Sequence, residues 1–205
     1  MLAWILELFG FNGHDRRTNR KMPTQEELDR SLDDFLNRPI HKILTKEIIE
    51  KTKDQDLEQQ IVDNLSAILE EFDENDENSP DKLLTNGQAS IYSTWMVEAE
   101  VNNGGFNQFY FNTSEELGKW AEEGFETIGA IQFAKLMREA NDIYIKIKDD
   151  LVKFNDGTAE GFSESYKGNP LNELDERFYK LYKEEPLNQL RIKYIREHLT
   201  EFVTP

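Results

Sequence analysis

Apolar residues recur at helical spacing along almost the whole chain. Leu28, Leu32, Phe35 and Leu36 form one stripe, Ile40, Ile43, Leu44 and Ile48 a second, and Leu57, Ile61, Leu65, Ile68, Leu69 and Phe72 a third. Tyr92, Trp95, Met96 and Ala99 continue the series. Leu136, Ala140, Ile143, Tyr144, Ile147, Leu151 and Phe154 follow, then Leu187, Leu190, Tyr194, Ile195, His198 and Phe202. Recurrence at i, i+3, i+4 and i+7 marks amphipathic helices, and no run of similar length alternates with the period of two that a strand requires. The pattern predicts an all-α fold of roughly eight to ten helices.

Start and stop signals bracket these stripes. Thr24 with Glu27, and Thr113 with Glu116, have capping-box spacing, while Ser79-Pro80 and Asn169-Pro170 place a cap before a first-turn proline. Gly87, Gly104-Gly105, the stretch 155–168 and the Glu185-Pro186 step are expected to separate helices. Residues 1–22 stand apart as an arm: Leu2, Ile5, Leu6 and Phe9 make an apolar helical face followed by Arg16, Arg17, Arg20 and Lys21. The expected organisation is this arm plus one all-helical domain over 23–205. The arm is expected to dock on its own domain or on a second copy, and in the second case it would be an oligomerisation element and the chain a homodimer.

Charge changes the picture. The net charge is −17, yet residues 1–53 carry +1, 54–81 carry −11 with no basic residue, 82–126 carry −5 and 127–205 carry −2. A field this negative repels nucleic acid and anionic membranes and attracts basic proteins. The expected partner is therefore a basic, nucleic-acid-binding protein, with neither direct nucleic-acid binding nor membrane binding. Within 54–81, a helix leading into an acidic loop, the candidate partner-binding face comprises Asp54, Asp56, Glu58, Asp63, Glu70, Glu71, Asp73, Glu74, Asp76 and Glu77. The helix has no opposite charge of its own at i+4 to relieve self-repulsion. Two rows of carboxylates on helical turns would approximate the phosphate spacing of a duplex.

Other chemistry finds little support. The chain has no cysteine, which excludes disulfides and thiolate metal sites and fits a cytoplasmic location. The apolar stretch 1–11 is interrupted by Glu7 and lacks a basic leader and a small-residue cleavage site, so it reads as neither signal peptide nor membrane span. Asp73, Asn75 and Glu77 alternate as in a calcium loop, but Asn78 stands where glycine is needed and Leu84 where the bidentate glutamate belongs. His14, His41 and His198 are scattered, and no nucleophile, P-loop or zinc pattern occurs. No catalytic residue, metal or cofactor is expected.

The stretch EVNNGGFNQFYFN, Glu100 to Asn112, is a corner by composition. The helix before it is expected to end near Val101, because Asn103 and Gly104 tolerate left-handed dihedrals. Phe106, Phe109 and Tyr110 have i, i+3, i+4 spacing and would turn one aromatic face into the core, leaving Asn107, Gln108 and Asn112 for backbone or solvent. The alternative is a small-ligand or enzymatic pocket around Glu98, Asn103, Gly104, Gly105, Phe106, Gln108, Phe109 and Asn112.

Together with Ile128 to Ala130 (IGA), Glu139 to Asn141 (EAN) and Leu174 to Glu184 (LDERFYKLYKE), this corner resembles the domain-of-unknown-function family numbered 4375 over about residues 40–200. The resemblance implies an all-helical, often dimeric fold, no cofactor, no established catalytic residue, and a DNA-mimic role in acidic members. The leading expectation is a non-enzymatic acidic binding protein that competes with nucleic acid for a basic partner.

Overall fold

The computed structural model describes residues 24–70 and 83–203. The 1–22 arm, the acidic stretch 71–82 with its calcium-like spacing, and Ser79-Pro80 lie outside the described residues. Two compact units divide the chain, Met1–Ile40 and His41–Pro205. Among the described residues there are nine α-helices and no strand.

In the first unit α1 spans Gln25–Leu36 and begins with the expected capping box: the Glu27 amide donates to Thr24 Oγ1 at 3.2 Å, and the Thr24 amide donates to Glu27 Oε2 at 2.7 Å. The second unit holds α2 (Lys46–Lys51), α3 (Asp54–Glu70), α4 (Asn86–Asn112), α5 (Glu115–Thr127) and α6 (Ile131–Leu151). After them come α7 (Ala159–Glu164), α8 (Asn172–Leu181) and α9 (Leu187–Glu197). Successive helices α4, α5 and α6 pack on one another, α8 lies on α4 and α6, and α3 lies against α4 and α9. Within the second unit the apolar faces meet in one core that includes Leu57, Ile61, Leu65, Val97, Phe106, Phe109, Phe125, Phe133, Phe178 and Ile195, whereas Leu36, Ile40 and Ile43, counted in the first two stripes, are exposed.

Several boundaries differ from expectation. Gly87 does not end a helix; it is the second residue of α4, whose cap is Thr85 in a box with Gln88. Thr113 closes α4, and Ser114 caps α5 by accepting from the Leu117 amide at 3.1 Å. Asn169 does not cap α8 directly but accepts from the Leu171 amide at 3.0 Å, fixing the turn that precedes the helix. The stretch 155–168, read as a separator, contains the short α7. At Gly124 the helices α4 and α5 approach so closely that a Cβ would stand 3.0 Å from Ser90 Cα.

A clasp closes the start of α4. Glu201 accepts from the Gly87 amide at 2.6 Å and from the Tyr194 hydroxyl at 3.0 Å, and its own carbonyl accepts from Thr85 Oγ1 at 3.0 Å. Burial, then the Glu201 carboxylate, push the Tyr194 hydroxyl up to about 12.

Candidate functional site

The corner predicted in the sequence is a kink at Gly104-Gly105 that divides α4 into two helical arms, the first ending close to the expected Val101. Gly104 has φ −161° and ψ 28°, and Gly105 has φ 72° and ψ −178°. The latter conformation is open essentially to glycine alone. It is therefore Gly105, rather than Asn103 or Gly104, that takes the positive φ. A Cβ on Gly105 would also stand 2.3 Å from Asp175 Oδ2.

A helix break frees backbone groups that need new partners, and the chain from Tyr166 through α8 supplies them. Asp175 Oδ1 accepts from the Phe106 amide at 2.9 Å, the Tyr179 hydroxyl donates to Val101 O at 2.8 Å, and the Tyr166 hydroxyl donates to Gly104 O at 2.7 Å. One turn on, the Tyr182 hydroxyl accepts from Asn102 Nδ2 at 3.2 Å. Asp175, Tyr179 and Tyr182 stand at i, i+4 and i+7, so one face of the LDERFYKLYKE segment meets the corner, at the Phe106 amide, the Val101 carbonyl and the Asn102 side chain. The two stretches are linked because one repairs what the other breaks. Burial raises the Asp175 carboxyl above its ordinary value of 3.8, the Phe106 amide opposes that rise, and Glu176 adds to it.

Most polar side chains of the corner are engaged within the protein. Asn107 and Gln108 are buried and reach other side chains, whereas Asn112 is exposed while also bonding one. Asn107 donates to Ser165 Oγ at 2.7 Å and accepts from Asn169 Nδ2 at 2.6 Å, and Gln108 and Asn112 donate to the same Glu100 oxygen at 2.7 and 2.8 Å. Asn103 is exposed. Phe106, Phe109 and Tyr110 are buried as expected, with Phe106 edge-on to Phe178 at 5.6 Å and Tyr110 stacked on Tyr144 at 4.2 Å. Asn141, the last residue of EAN, accepts from the Tyr110 hydroxyl at 2.7 Å and donates to Gly118 O at 3.1 Å.

Glu98 belongs to a different arrangement. Arg191, 1% exposed, donates through Nε to Glu58 of α3 and through Nη2 to Glu98 of α4. Burial works against the charge, but Glu98 and Glu58 outweigh it and hold the guanidinium pKa up. Glu58 also accepts from Asn188 Nδ2 at 2.7 Å. Beside this knot, Arg196 pairs with Asp54 at 2.7 Å and donates to Ile49 O and Thr52 O.

These pairs change the reading of the acidic helix. No basic residue within α3 relieves its charge, but α9 does so from across the fold: Asp54 and Glu58 are compensated by Arg196 and Arg191. Asp63 is buried and accepts from Gln59 Nε2 at 2.8 Å. Asp56 and Glu70 are exposed. Glu71, Asp73, Glu74, Asp76 and Glu77 lie outside the described residues. Among the described residues no cluster of His, Asp and Glu could hold a metal ion, and no helix is long and apolar enough to cross a membrane.

Comparison with known proteins corrects the family. A family model described as DMP19-like protein matches residues 82–198. The four elements read as those of the domain-of-unknown-function family numbered 4375 all fall inside this segment, which is shorter than the 40–200 first assigned. A glycine break repaired by a polar helix face is a structural demand, so residues that serve it identify a helical build better than a particular family. The matched segment carries a formal −6, against −11 for residues 54–81, which lie outside it. No curated protein and no solved structure matches the chain. Because the match covers more than half of its residues, the chain belongs to the DMP19-like protein family.

Proposed function

We propose that this chain is a non-enzymatic DNA-mimic protein whose surface carboxylates occupy the cationic site of a nucleic-acid-binding protein. Membership in a family named for a DNA mimic carries the reading, and the net charge of −17 agrees with it. On α3, Asp54 and Glu58 are already paired within the fold and Asp63 is buried, so the partner-facing share falls to Asp56 and Glu70, with Glu71, Asp73, Glu74, Asp76 and Glu77 following in sequence. The protein acts by competition, its carboxylates taking the places of phosphates on arginine and lysine. Lack of cysteine fits a cytoplasmic setting.

A pull-down from lysate at stepped salt, with and without added duplex DNA, tests this. Basic nucleic-acid-binding proteins should be captured, released steeply as salt rises and displaced by DNA. Capture of non-basic proteins, or capture indifferent to salt and DNA, rejects the reading.

A further inference from the structure

The glutamates of α5 fall into two groups. Glu115 is held by Lys119 at 2.9 Å and Lys148 at 3.0 Å, and Glu122 and Glu126 share Arg138 at 2.6 and 2.9 Å. Glu116 and Glu123 are exposed and have no cation partner among the described residues. They stand at i−4 and i+3 from Trp120, which places them on the same helix face, one turn to either side of the indole. Trp120 is half-buried, yet unlike Trp95 it does not pack against the core cluster, and its ring has no aromatic contact among the described residues.

An indole between two carboxylates suits one kind of cation best. A guanidinium is planar and weakly hydrated, so it can stack on the ring while its edges meet the carboxylates, whereas an ammonium is a compact, strongly hydrated point charge. We propose that the Glu116–Trp120–Glu123 face of α5 is the docking point for an arginine side chain of the basic partner, and that the protein selects arginine over lysine there. The inference rests on the acidic-binding reading and adds to it which cation is preferred and where. The two carboxylates supply the charge complementarity, and both lie inside the family-matched segment and outside the 54–81 run.

Two peptides of equal length, glycine alternating with arginine in one and with lysine in the other, are titrated into the full chain by calorimetry and tryptophan fluorescence. The arginine peptide should bind about two- to fivefold more tightly and perturb the tryptophan emission. Trp120→Leu should abolish that preference with lysine-peptide affinity unchanged, while Trp120→Phe, which keeps an aromatic face, should retain part of it. Combined Glu116→Gln and Glu123→Gln should weaken both peptides, with far-UV circular dichroism confirming the helical fold of each variant. Equal affinities, or a preference that survives Trp120→Leu, overturn the arginine site and leave the acidic-binding reading in place. Absence of salt-dependent binding by either peptide overturns both.

Discussion

The glycine corner of α4 and the outer face of α5 are close in sequence and opposite in character. At the corner, backbone groups freed by the break and most polar side chains find partners inside the protein: Phe106 N with Asp175, Gly104 O with Tyr166, and Glu100 with Gln108 and Asn112. On α5, Glu116, Trp120 and Glu123 meet no such partners among the described residues. A side chain already satisfied within the fold has little left to offer a ligand, whereas an exposed carboxylate without a cation keeps its full charge for one. The recognisable motif builds the scaffold, and the less distinctive surface beside it is the better candidate for binding.

The largest expected effect lies at the buried ion pairs inside the fold, where Arg191 sits between Glu58 and Glu98. Arg191→Met leaves Glu58 and Glu98 facing each other without their cation, and should cost about 3–5 kcal/mol in urea unfolding. Adding Glu58→Gln and Glu98→Gln to the same variant should recover much of that loss, because the harm lies in the stranded charges. A single variant as stable as the parent would show that the knot is not the lock between α3 and α4.

Next comes the corner itself. Gly105→Ala forces a Cβ into a glycine-only conformation and against Asp175, with an expected loss of about 1–3 kcal/mol. Asp56→Asn, at an exposed acidic position, should stay within about 0.5 kcal/mol of the parent. Equal effects of the two changes would erase the distinction between scaffold and surface.

The smallest effect is one of pH. The Asp175 carboxyl is raised in the folded chain, so the fold binds its proton more tightly than the unfolded chain does. Its favourable contribution is fully present below the unfolded pKa and is lost as pH rises through the folded one. Asp175→Asn keeps an acceptor for the Phe106 amide and removes this titration. The melting temperature of the variant relative to the parent should therefore climb with pH across that window. A difference that stays flat would mean that Asp175 is not held in a desolvated state.

Local chemistry was legible in the sequence where it acts over one turn. The helical stripes, the Thr24–Glu27 box and the aromatic face of Phe106, Phe109 and Tyr110 all depend on neighbours three or four residues away. What escaped depends on distant chain. Arg191 finds Glu58 across 133 residues, and Asp175 finds Phe106 across 69, separations at which spacing carries no information. Asp175 and Tyr179 meet backbone groups, the Phe106 amide and the Val101 carbonyl, whose identity no side-chain pattern reveals. Thr113 and Ser114 are adjacent hydroxyl residues, and only the path of the chain out of α4 makes the second of them the cap.

The clasp at Glu201 lies outside the family-matched segment. The family match begins at residue 82 and ends at 198, yet the residue that ties the first turn of its leading helix is Glu201, just beyond that limit. A fragment trimmed to residues 82–198 would lose the Glu201 hydrogen bonds to Thr85 and Gly87. The span of the family match and the span tied together by these hydrogen bonds thus end at different residues.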